Sequence, residues 1–321
     1  MKRLIVILCA LVFVSFAMKG KEKHRVVGDA YNAVYETTDG RLNGAYVSYY
    51  KNGQKKAEGS FENNYRKGTW KMWDTTGTLR VERDYENPFV FKSVMPPVAN
   101  KKYAQQASNQ PYALHYSKDG YMEYFKLEEK MVVWSKRLWR TITAKNNPLL
   151  FDDNLFFNIL YKNLTAGKIT PYDVHDEEFQ QALAVSKIDT SSFKVIGYKI
   201  KEDCFFDNVR YVSETRIIGF CPVVVTKQKQ DTVNLCWFYF PEMRKCLAQE
   251  PLKQSNLPTY IKTYDDLFFF RYFYGQIYKE SNVLDRPIST YTSGNDIEKE
   301  AERIEITMIE SEHDFWMDYA K

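Results

Sequence analysis

The chain has 321 residues, of which 44% are hydrophobic and 27% charged, with only 14 glycines and 11 prolines. This composition excludes collagen-like, low-complexity and wholly disordered proteins, and the length suffices for one large or two ordinary domains. The net charge of +4 is carried by 45 basic and 41 acidic residues, so charge alone indicates no nucleic-acid partner. The unusual quantity is the aromatic fraction of 16%, which includes 24 Tyr and 21 Phe.

The first seventeen residues have the pattern of a secretory signal peptide. Lys2 and Arg3 precede an apolar run over residues 4–14, and Ser15 and Ala17 then supply small side chains at the −3 and −1 positions of a cleavage site. This run is shorter than the roughly 20 apolar residues that span a bilayer, and no later run is longer. Lipidation at Cys9 is disfavoured because small residues do not precede it. We therefore expect an exported protein without a transmembrane segment.

Residues 44–87 contain a repeat with a period of 24 residues. The offset superimposes Gly44 on Gly68, Tyr46 on Trp70, Tyr49 on Trp73, Gly53 on Gly77, Glu58 on Glu82, Phe61 on Tyr85 and Asn63 on Asn87. In each unit, alternating aromatics followed by a turn such as Asn52-Gly53 predict a β-hairpin with a type I′ turn. One hairpin is marginal alone, so the copies are expected to pair edge to edge. The predicted repeat core is Tyr46, Tyr49, Trp70 and Trp73.

This repeat resembles MORN repeats in the form found in YwqK-like proteins, which share the pattern G-x-Y/W-x-x-Y/W-x-x-x-G. The resemblance implies a small meandering sheet over residues 28–90 that scaffolds or contacts a partner. An alternative is a platform on which sugars or bases stack; we favour the core role because hairpin repeats need the same aromatics for packing. Prolines then mark residues 91–127 as a linker, where the turn signal Asp119-Gly120 is compatible with a further hairpin.

Residues 128–321 mix helical and strand patterns. Residues 131–143 fit either a strand or a short helix. Apolar residues at helical spacing over residues 155–164, followed by Gly167, predict one helix, and Asp176 is expected to open a second short one. Strands are predicted from β-branched and aromatic residues over 193–200, 209–225 and 233–240. We therefore predict an α+β protein in which the repeats precede a mixed domain of antiparallel sheet and helices.

Thr263 and Asp266 form a capping signal for a helix that is predicted to run to about Lys279. Eight of the fifteen residues 264–278 are aromatic. A helix that is apolar around most of its circumference is buried on several sides, so we expect a neighbouring subunit to cover part of it. A last, amphipathic helix is predicted from the stripe of Ile297, Ala301, Ile304, Met308 and Phe315.

Five blocks of this region carry a resemblance to a known family: residues 134–140, 240–244, 264–271, 277–286 and 312–316. In order and spacing they are similar to the GldN/PorN family of gliding-motility and type IX secretion proteins of Bacteroidota. The resemblance implies a non-enzymatic periplasmic protein that joins an outer-membrane lipoprotein (GldK or PorK) in a large ring and contacts the GldM or PorM shaft. Two departures, the fused repeats and Ile142-Thr143-Ala144 in place of the usual Ile-Asp-Leu, fit a paralogue with its own partner.

The turn after the predicted aromatic helix has two interpretations. Asn282, Asp285 and Arg286 suit a network that caps the helix exit, and they also suit the rim of a partner interface. Arg244 is expected to form an ion pair within the domain, with Glu242. The predicted partner-interface candidates are Arg244, Phe269, Tyr272, Phe273, Tyr274, Lys279, Asn282 and Arg286.

Signals of catalysis are weak. No Walker loop, nucleophile elbow or zinc-protease pattern occurs, and the four histidines lie far apart in the sequence. The cluster at residues 312–314 is expected to be structural, because adjacent helical residues point in different directions. We predict no catalytic residue, cofactor or metal. The alternative function is a free periplasmic module that binds glycan, peptidoglycan or a protein through its repeats.

The four cysteines after the signal peptide allow three disulfide connectivities. If residues 216–226 and 232–240 pair as a hairpin, Cys221 lies opposite Cys236. A disulfide between them and a pair of buried free thiols are both compatible with this pattern.

Overall fold

The computed structural model describes residues 20–87, 90–95, 115–152, 155–185, 188, 192–209, 211–228, 230–254 and 257–319. This part of the chain contains two antiparallel sheets and four α-helices, so the predicted α+β class is confirmed. The predicted signal peptide and residues 96–114 of the predicted linker lie outside the described residues.

The first sheet is a meander in which each strand pairs with the next. Its strands are β1 (Glu22–Val27), β2 (Tyr31–Thr38), β3 (Arg41–Tyr50), β4 (Lys55–Glu62), β5 (Tyr65–Trp73), β6 (Leu79–Asn87) and β7 (Val90–Met95). Residues alternate between a buried face, which includes Tyr46, Phe61, Trp70 and Met72, and a polar outer face. The predicted hairpins β3–β4 and β5–β6 are present and are compatible with MORN-like repeats, which stay a prediction.

The turns of this sheet differ from the prediction. Both residues have positive φ in the two-residue loops 39–40 and 63–64, which again lie 24 positions apart; this is the signature of type I′ turns. At the predicted site only Gly53 has positive φ, and its N–H donates to the Tyr50 carbonyl (3.0 Å). Since the Tyr50 N–H donates to the Gln54 carbonyl (2.8 Å), the loop consists of residues 51–53 and ends in a left-handed glycine. The type I′ prediction at Asn52-Gly53 is therefore wrong, although a hairpin turn is present.

The second sheet has the strand order β14-β8-β10-β11-β13-β9, with β12 paired to β11. Its strands are β8 (Val132–Thr143), β9 (Pro171–Tyr172), β10 (Phe193–Asp207), β11 (Val212–Thr226), β12 (Thr232–Asn234), β13 (Trp237–Tyr239) and β14 (Gln276–Glu280). The described helices are α1 (Leu155–Thr165), α2 (Phe240–Leu247), α3 (Tyr264–Phe269) and α4 (Asn295–Tyr319). Helices α1 to α3 pack on this sheet in one apolar core. The predicted helix at α1 is confirmed, and residues 131–143 form mainly strand.

The predicted aromatic helix is only partly present. Its start is confirmed, because Thr263 and Asp266 form a capping box. The helix nevertheless ends at Phe269; Arg271 then has a φ of 50°, and β14 follows as an edge strand on β8. The prediction of a helix to Lys279 is therefore wrong, and so is that of a helix-exit cap at residue 282. β-branched and aromatic residues in β14 favour a strand once a partner strand is available.

The short helix predicted from Asp176 is also wrong. The carboxylate of Asp176 accepts hydrogen bonds from the backbone N–H groups of Glu178 (3.1 Å), Gln180 (2.5 Å) and Gln181 (2.5 Å). Phe179, between them, has a φ of 59°. A short carboxylate that collects several nearby amides stabilises a loop in competition with a helix.

Helix α4 lies between the two sheets. One side of it contributes Ala301, Ile304 and Met308 to an apolar cluster with the second sheet. Another side contributes Ile306 and Trp316 to the core of the first sheet. The predicted terminal helix is confirmed, but it is apolar on two sides because it serves both sheets.

Gly40 is one point where the first sheet contacts the rest of the chain. Its φ is 75°, and a Cβ atom there would lie 2.5 Å from the ring of Tyr274. Gly40→Ala is expected to lower the free energy of unfolding by about 2 to 4 kcal/mol, because backbone strain adds to steric overlap. Gly53→Ala is the control: its φ is 86° and nothing lies within 4 Å of the added Cβ, so about 1 to 2 kcal/mol is expected. Equal losses in urea unfolding would contradict this difference.

Candidate functional site

The aromatic segment that was predicted to face a neighbouring subunit contacts the first sheet of its own chain. Three contacts join the two: the Arg41 guanidinium lies 4.3 Å from the centroid of the Tyr272 ring, Asn64 Nδ2 donates to the Arg271 carbonyl (3.1 Å), and the Tyr274 ring lies against Gly40. Two of these three positions in the sheet belong to the loops 39–40 and 63–64. The repeats therefore cover Tyr272 and Tyr274 in part.

Other predicted interface residues pack or form ion pairs inside the chain. Phe273 is buried in the core of the second sheet, and the ring of Phe269 packs on that of Tyr124, with 4.9 Å between centroids. Arg244 is buried and donates to both carboxylate oxygens of Asp265 at 2.8 Å. An ion pair within the domain is confirmed, but with Asp265 in place of Glu242. Burial of the aromatic residues by this chain accounts for much of their excess.

The four predicted repeat-core aromatics divide into two pairs. Tyr46 and Trp70 are 1% and 0% exposed beneath α4, whereas Tyr49 and Trp73 are half-buried. The ring centroids of Tyr46 and Trp70 lie 5.6 Å apart. A platform for sugars or bases would lack its two central rings, because α4 covers them.

Cys221 lies on β11, and Cys236 lies between β12 and β13, which both pair with β11; the two cysteines are buried. Both are free thiols in this structure, as are Cys204 and Cys246. Burial raises the pKa of the Cys221 thiol to about 12, and a thiol rather than a thiolate is a poor nucleophile for disulfide exchange. A disulfide between Cys221 and Cys236 stays a prediction.

A buried ionic network joins the first sheet to α4. The ammonium group of Lys56, on β4, lies 2.8 Å from a carboxylate oxygen of Glu310 and 2.7 Å from one of Asp314. The hydroxyl of Tyr46 donates to the other oxygen of Glu310 (2.5 Å). Lys56 and Glu310 are both almost fully buried. Since a buried charge needs a close partner, these residues tie the position of the sheet to that of the helix.

The cluster at residues 312–314 contributes to the same contact. Glu312 pairs with Arg66 (2.7 Å) and accepts from the Ser213 amide (2.8 Å), while His313 lies 3.1 Å from Glu310 and 3.2 Å from Arg66. The three consecutive residues thus have different principal partners, in agreement with the structural interpretation. Within the described residues, no group of three His, Cys, Asp or Glu side chains is arranged to hold a metal ion.

The buried His313 is expected to make the free energy of unfolding depend on pH. Burial lowers its pKa from the ordinary value of 6.5, and Arg66 opposes protonation further, against the attraction of Glu310. Below pH 6.5 the unfolded chain therefore binds a proton there before the folded chain does, and stability falls. His313→Gln is expected to reduce the loss of unfolding free energy between pH 7 and 5 by about 1 kcal/mol, measured by urea unfolding at each pH.

His24 is the matched control because its shift has the opposite sign. A hydrogen bond to Glu302 (2.9 Å) raises the pKa of His24 above 6.5. The stability that protonated His24 contributes is fully present below its pKa in the unfolded chain, and it is lost as the pH rises through its pKa in the folded chain. His24→Gln should therefore steepen the acid loss. A shallower profile in this variant, or an unchanged profile in the His313 variant, would contradict the assignment.

A second buried network lies between the second sheet, α4 and the loop after α3. Glu202 is 0% exposed and accepts from Arg140 Nε (2.5 Å) and from both terminal nitrogens of Arg271 (2.9 and 3.2 Å). Arg140 also pairs with Glu305 on α4. Arg140 and Arg271 belong to two of the five sequence blocks, and their charges are used to hold the fold.

A cavity of about 560 Å³ lies where both sheets and α4 meet. Its wall includes Arg66 on β5 and Arg140 on β8, which pair with Glu312 and Glu305 on α4. Two arginines of the wall are thus paired with carboxylates of α4, and the cavity lies at the contact between the first sheet and the rest of the chain.

The remaining interface candidates, Lys279, Asn282 and Arg286, lie on or beside an exposed turn after β14. The turn also exposes Val283 and Leu284, which the sequence patterns did not single out. In the sequence, the only sign of these two residues was an aliphatic pair between polar residues. Such a pair occurs in strands, helices and loops alike, so it does not predict an exposed turn. Among the predicted interface residues, Asn282 and Arg286 are the most accessible, whereas the Lys279 side chain is 14% exposed.

No helix within the described residues is both long and apolar enough to cross a membrane. A search of curated proteins finds no match to the chain. A family model described as gliding motility associated protein GldN matches residues 127–194 and 184–317, more than half of the chain. Proteins of this family are periplasmic structural components of gliding motility and type IX secretion. The chain therefore belongs to the GldN family.

Proposed function

We propose that the chain is a non-enzymatic periplasmic component that assembles with a ring-forming outer-membrane lipoprotein of the GldK or PorK type and contacts a GldM- or PorM-like shaft. The observation that carries this proposal is the GldN family match over residues 127–317. That range contains the second sheet, helices α1 to α3, all but the last two residues of α4 and the exposed turn after β14.

The chemistry of the matched region supports a structural role. Two pairs of buried charged residues lie in it, Arg244 with Asp265 and Arg140 with Glu202. Catalytic acids and bases usually have pKa values matched to proton transfer and face a cleft that admits substrate. Here the pairing of these charges stabilises the fold instead.

We further propose that residues 28–90 are MORN-like repeats that act as a structural cover for the family domain of residues 128–321. The inner face of the first sheet packs on α4, with Trp70 and Trp316 in one core. The alternative, a free module that binds glycan through these aromatics, would require that face to separate from α4. Lys56 and Arg66 would then lose their carboxylate partners on the helix, which is costly.

The proposal is tested by recovering the tagged full chain from envelope extracts of cells that export it. An outer-membrane lipoprotein should be recovered with it reproducibly, in particles far above the 37.9 kDa of one chain. An exported tagged protein of another family serves as the control. Repeated recovery of a monomer without any lipoprotein would contradict the proposal.

A further inference from the structure

The cavity of about 560 Å³ between the two sheets and α4 has the size of a small-molecule site. Such sites usually measure about 300 to 1,000 Å³ and are lined mainly by apolar and aromatic side chains. Ten residues of this cavity wall are aromatic. The cavity reaches the surface at one end, where the exposed residues Glu22 and Glu298 lie on its wall. A small organic molecule therefore has room to enter from solvent.

Negative charge predominates in the wall of this cavity. Eight of its residues are Asp or Glu and four are Lys or Arg, although the chain as a whole has a net charge of +4. Three of the four basic residues, Arg66, Arg140 and Arg271, already have carboxylate partners within the chain. A cleft with a wall of predominantly one sign attracts a ligand of the opposite sign. The charge of the wall thus favours a cation over an anion.

The end of the cavity that reaches the surface is bordered by carboxylates of α4. Glu298, Glu302 and Glu305 lie on the wall at helical spacing. Glu302 pairs with His24 (2.9 Å), and Glu305 pairs with Arg140. Glu298 makes no hydrogen bond or ion pair within the described residues. One carboxylate at this end is therefore available to a positively charged ligand.

The hydroxyl of Tyr35 is a second polar group without a partner at this end. Tyr35 lies on β2 and on the cavity wall and is only 5% exposed, and its ring stacks on that of His24, with 5.0 Å between centroids. The hydroxyl makes no hydrogen bond in the part of the chain that the structure describes. Because buried polar side chains in proteins are nearly always hydrogen-bonded, an unpaired hydroxyl in a cavity wall points to a ligand as its partner.

The pKa values of two tyrosines show that these groups lie close together. Burial raises the pKa of Tyr35, and the charges of Glu302 and Glu305 raise it further. Burial, together with the charges of Glu298 and Glu305, raises the pKa of Tyr274 on the same wall to about 12. Both hydroxyls therefore keep their protons at neutral pH, and their oxygens can accept a hydrogen bond from a cationic N–H group.

We propose that this end of the cavity binds a small organic cation, which carries an ammonium or guanidinium group on an apolar or aromatic body. The N–H groups of the ligand donate to the Tyr35 hydroxyl oxygen and to the Glu298 carboxylate, and the aromatic residues of the wall surround its apolar part. The proposal does not rest on assembly with a ring lipoprotein, so the purified full chain suffices to test it.

The test uses three indole compounds that differ in charge: tryptamine is a cation, tryptophol is neutral and indoleacetate is an anion. Isothermal titration calorimetry at neutral pH is expected to show that tryptamine binds at least tenfold more tightly than tryptophol, which corresponds to about 1.4 kcal/mol. Indoleacetate should bind more weakly than both. No binding of tryptamine, or equal affinities for the three compounds, would overturn the proposal.

Two variants locate the site. Tyr35→Phe and Glu298→Gln each remove an unpaired polar group, so the urea unfolding curve should change little while the affinity for tryptamine falls about fivefold, as expected for one lost hydrogen bond. The matched controls are Tyr49→Phe, on the outer face of the first sheet, and Asp296→Asn, on α4; neither residue lies on the cavity wall, and the affinity should be unchanged. Unchanged affinity in both cavity variants, or equal losses in the controls, would overturn the assignment.

Discussion

Replacing Glu202 with alanine is expected to lower the free energy of unfolding by about 3 to 5 kcal/mol, because two arginines lose the buried carboxylate that they share. The carboxylate accepts three hydrogen bonds from Arg140 and Arg271. Arg140, which is 7% exposed in the unchanged chain, would keep only the carboxylate of Glu305 and the Gly275 carbonyl as partners. The loss is measured by urea unfolding of the full chain at neutral pH.

The direction in which the pKa of Glu202 is shifted agrees with this expectation. Burial on its own would raise the pKa of Glu202, but the charges of Arg140 and Arg271 outweigh burial and hold the pKa below its usual value. A carboxylate with a depressed folded pKa stabilises the protein above its unfolded pKa, and the contribution is lost as pH falls through the folded pKa. The difference between Glu202→Ala and the unchanged chain should therefore shrink in acid.

Glu300→Ala is the control for a carboxylate in an exposed pair. Glu300 pairs with Arg303 one turn later on α4, at 2.7 Å, where both side chains remain partly accessible to water. Exposed pairs of this kind contribute about 0.2 to 1 kcal/mol. A loss at Glu202 no larger than that at Glu300 would mean that the buried network is not needed for the fold.

Trp316→Ala is expected to lower the free energy of unfolding by about 3 to 5 kcal/mol, the usual range for deleting a buried tryptophan. The side chain is 0% exposed, and its indole N–H donates to the Tyr211 carbonyl (2.9 Å). The guanidinium groups of Arg83 and Arg66 lie 3.8 and 4.6 Å from the centroid of its ring. A cavity at this point would separate α4 from the first sheet.

The strands that lose protection from hydrogen exchange in this variant show whether the stability of the first sheet depends on α4. In Trp316→Ala, amide hydrogen exchange should accelerate most in β3 to β5, whose inner face packs on α4, and less in β10 and β11. Trp73→Ala is the control, because Trp73 is half-buried on the outer face of the same sheet and should cost about 1 to 2 kcal/mol. Unchanged exchange in β3 to β5 would show that the repeats are stable without the helix.

Local patterns were predictable where neighbours in sequence decide the structure. The 24-residue spacing predicted the hairpins, and the capping signal at Thr263 predicted the start of α3. The apolar stripe that ends at Gly167 predicted α1. In each of these cases the deciding interactions lie within a few residues, as capping, turn chemistry and side-chain periodicity do.

The predictions failed where a distant segment competes with a local preference. Residues 276–280 contain few helix breakers, yet they form a strand because β8 offers an unpaired edge. The fully buried Trp70 needed a cover that its own hairpin could not supply, and that cover, α4, follows more than two hundred residues later. Two of the aromatic residues that were expected to meet another subunit, Tyr272 and Tyr274, are covered in part by the first sheet, and a contact of this segment with another subunit stays a prediction.

Sequence alone was sufficient for the α+β class, the repeat hairpins and the GldN resemblance, because periodicity, turn residues and ordered motifs are properties of the chain read in one direction. Tertiary structure was needed to join the repeats to the family domain through α4, to pair Lys56 with Glu310, and to leave Val283 and Leu284 exposed. The physical reason is that burial and charge pairing depend on which surfaces meet in space, and those surfaces come from segments far apart in the sequence.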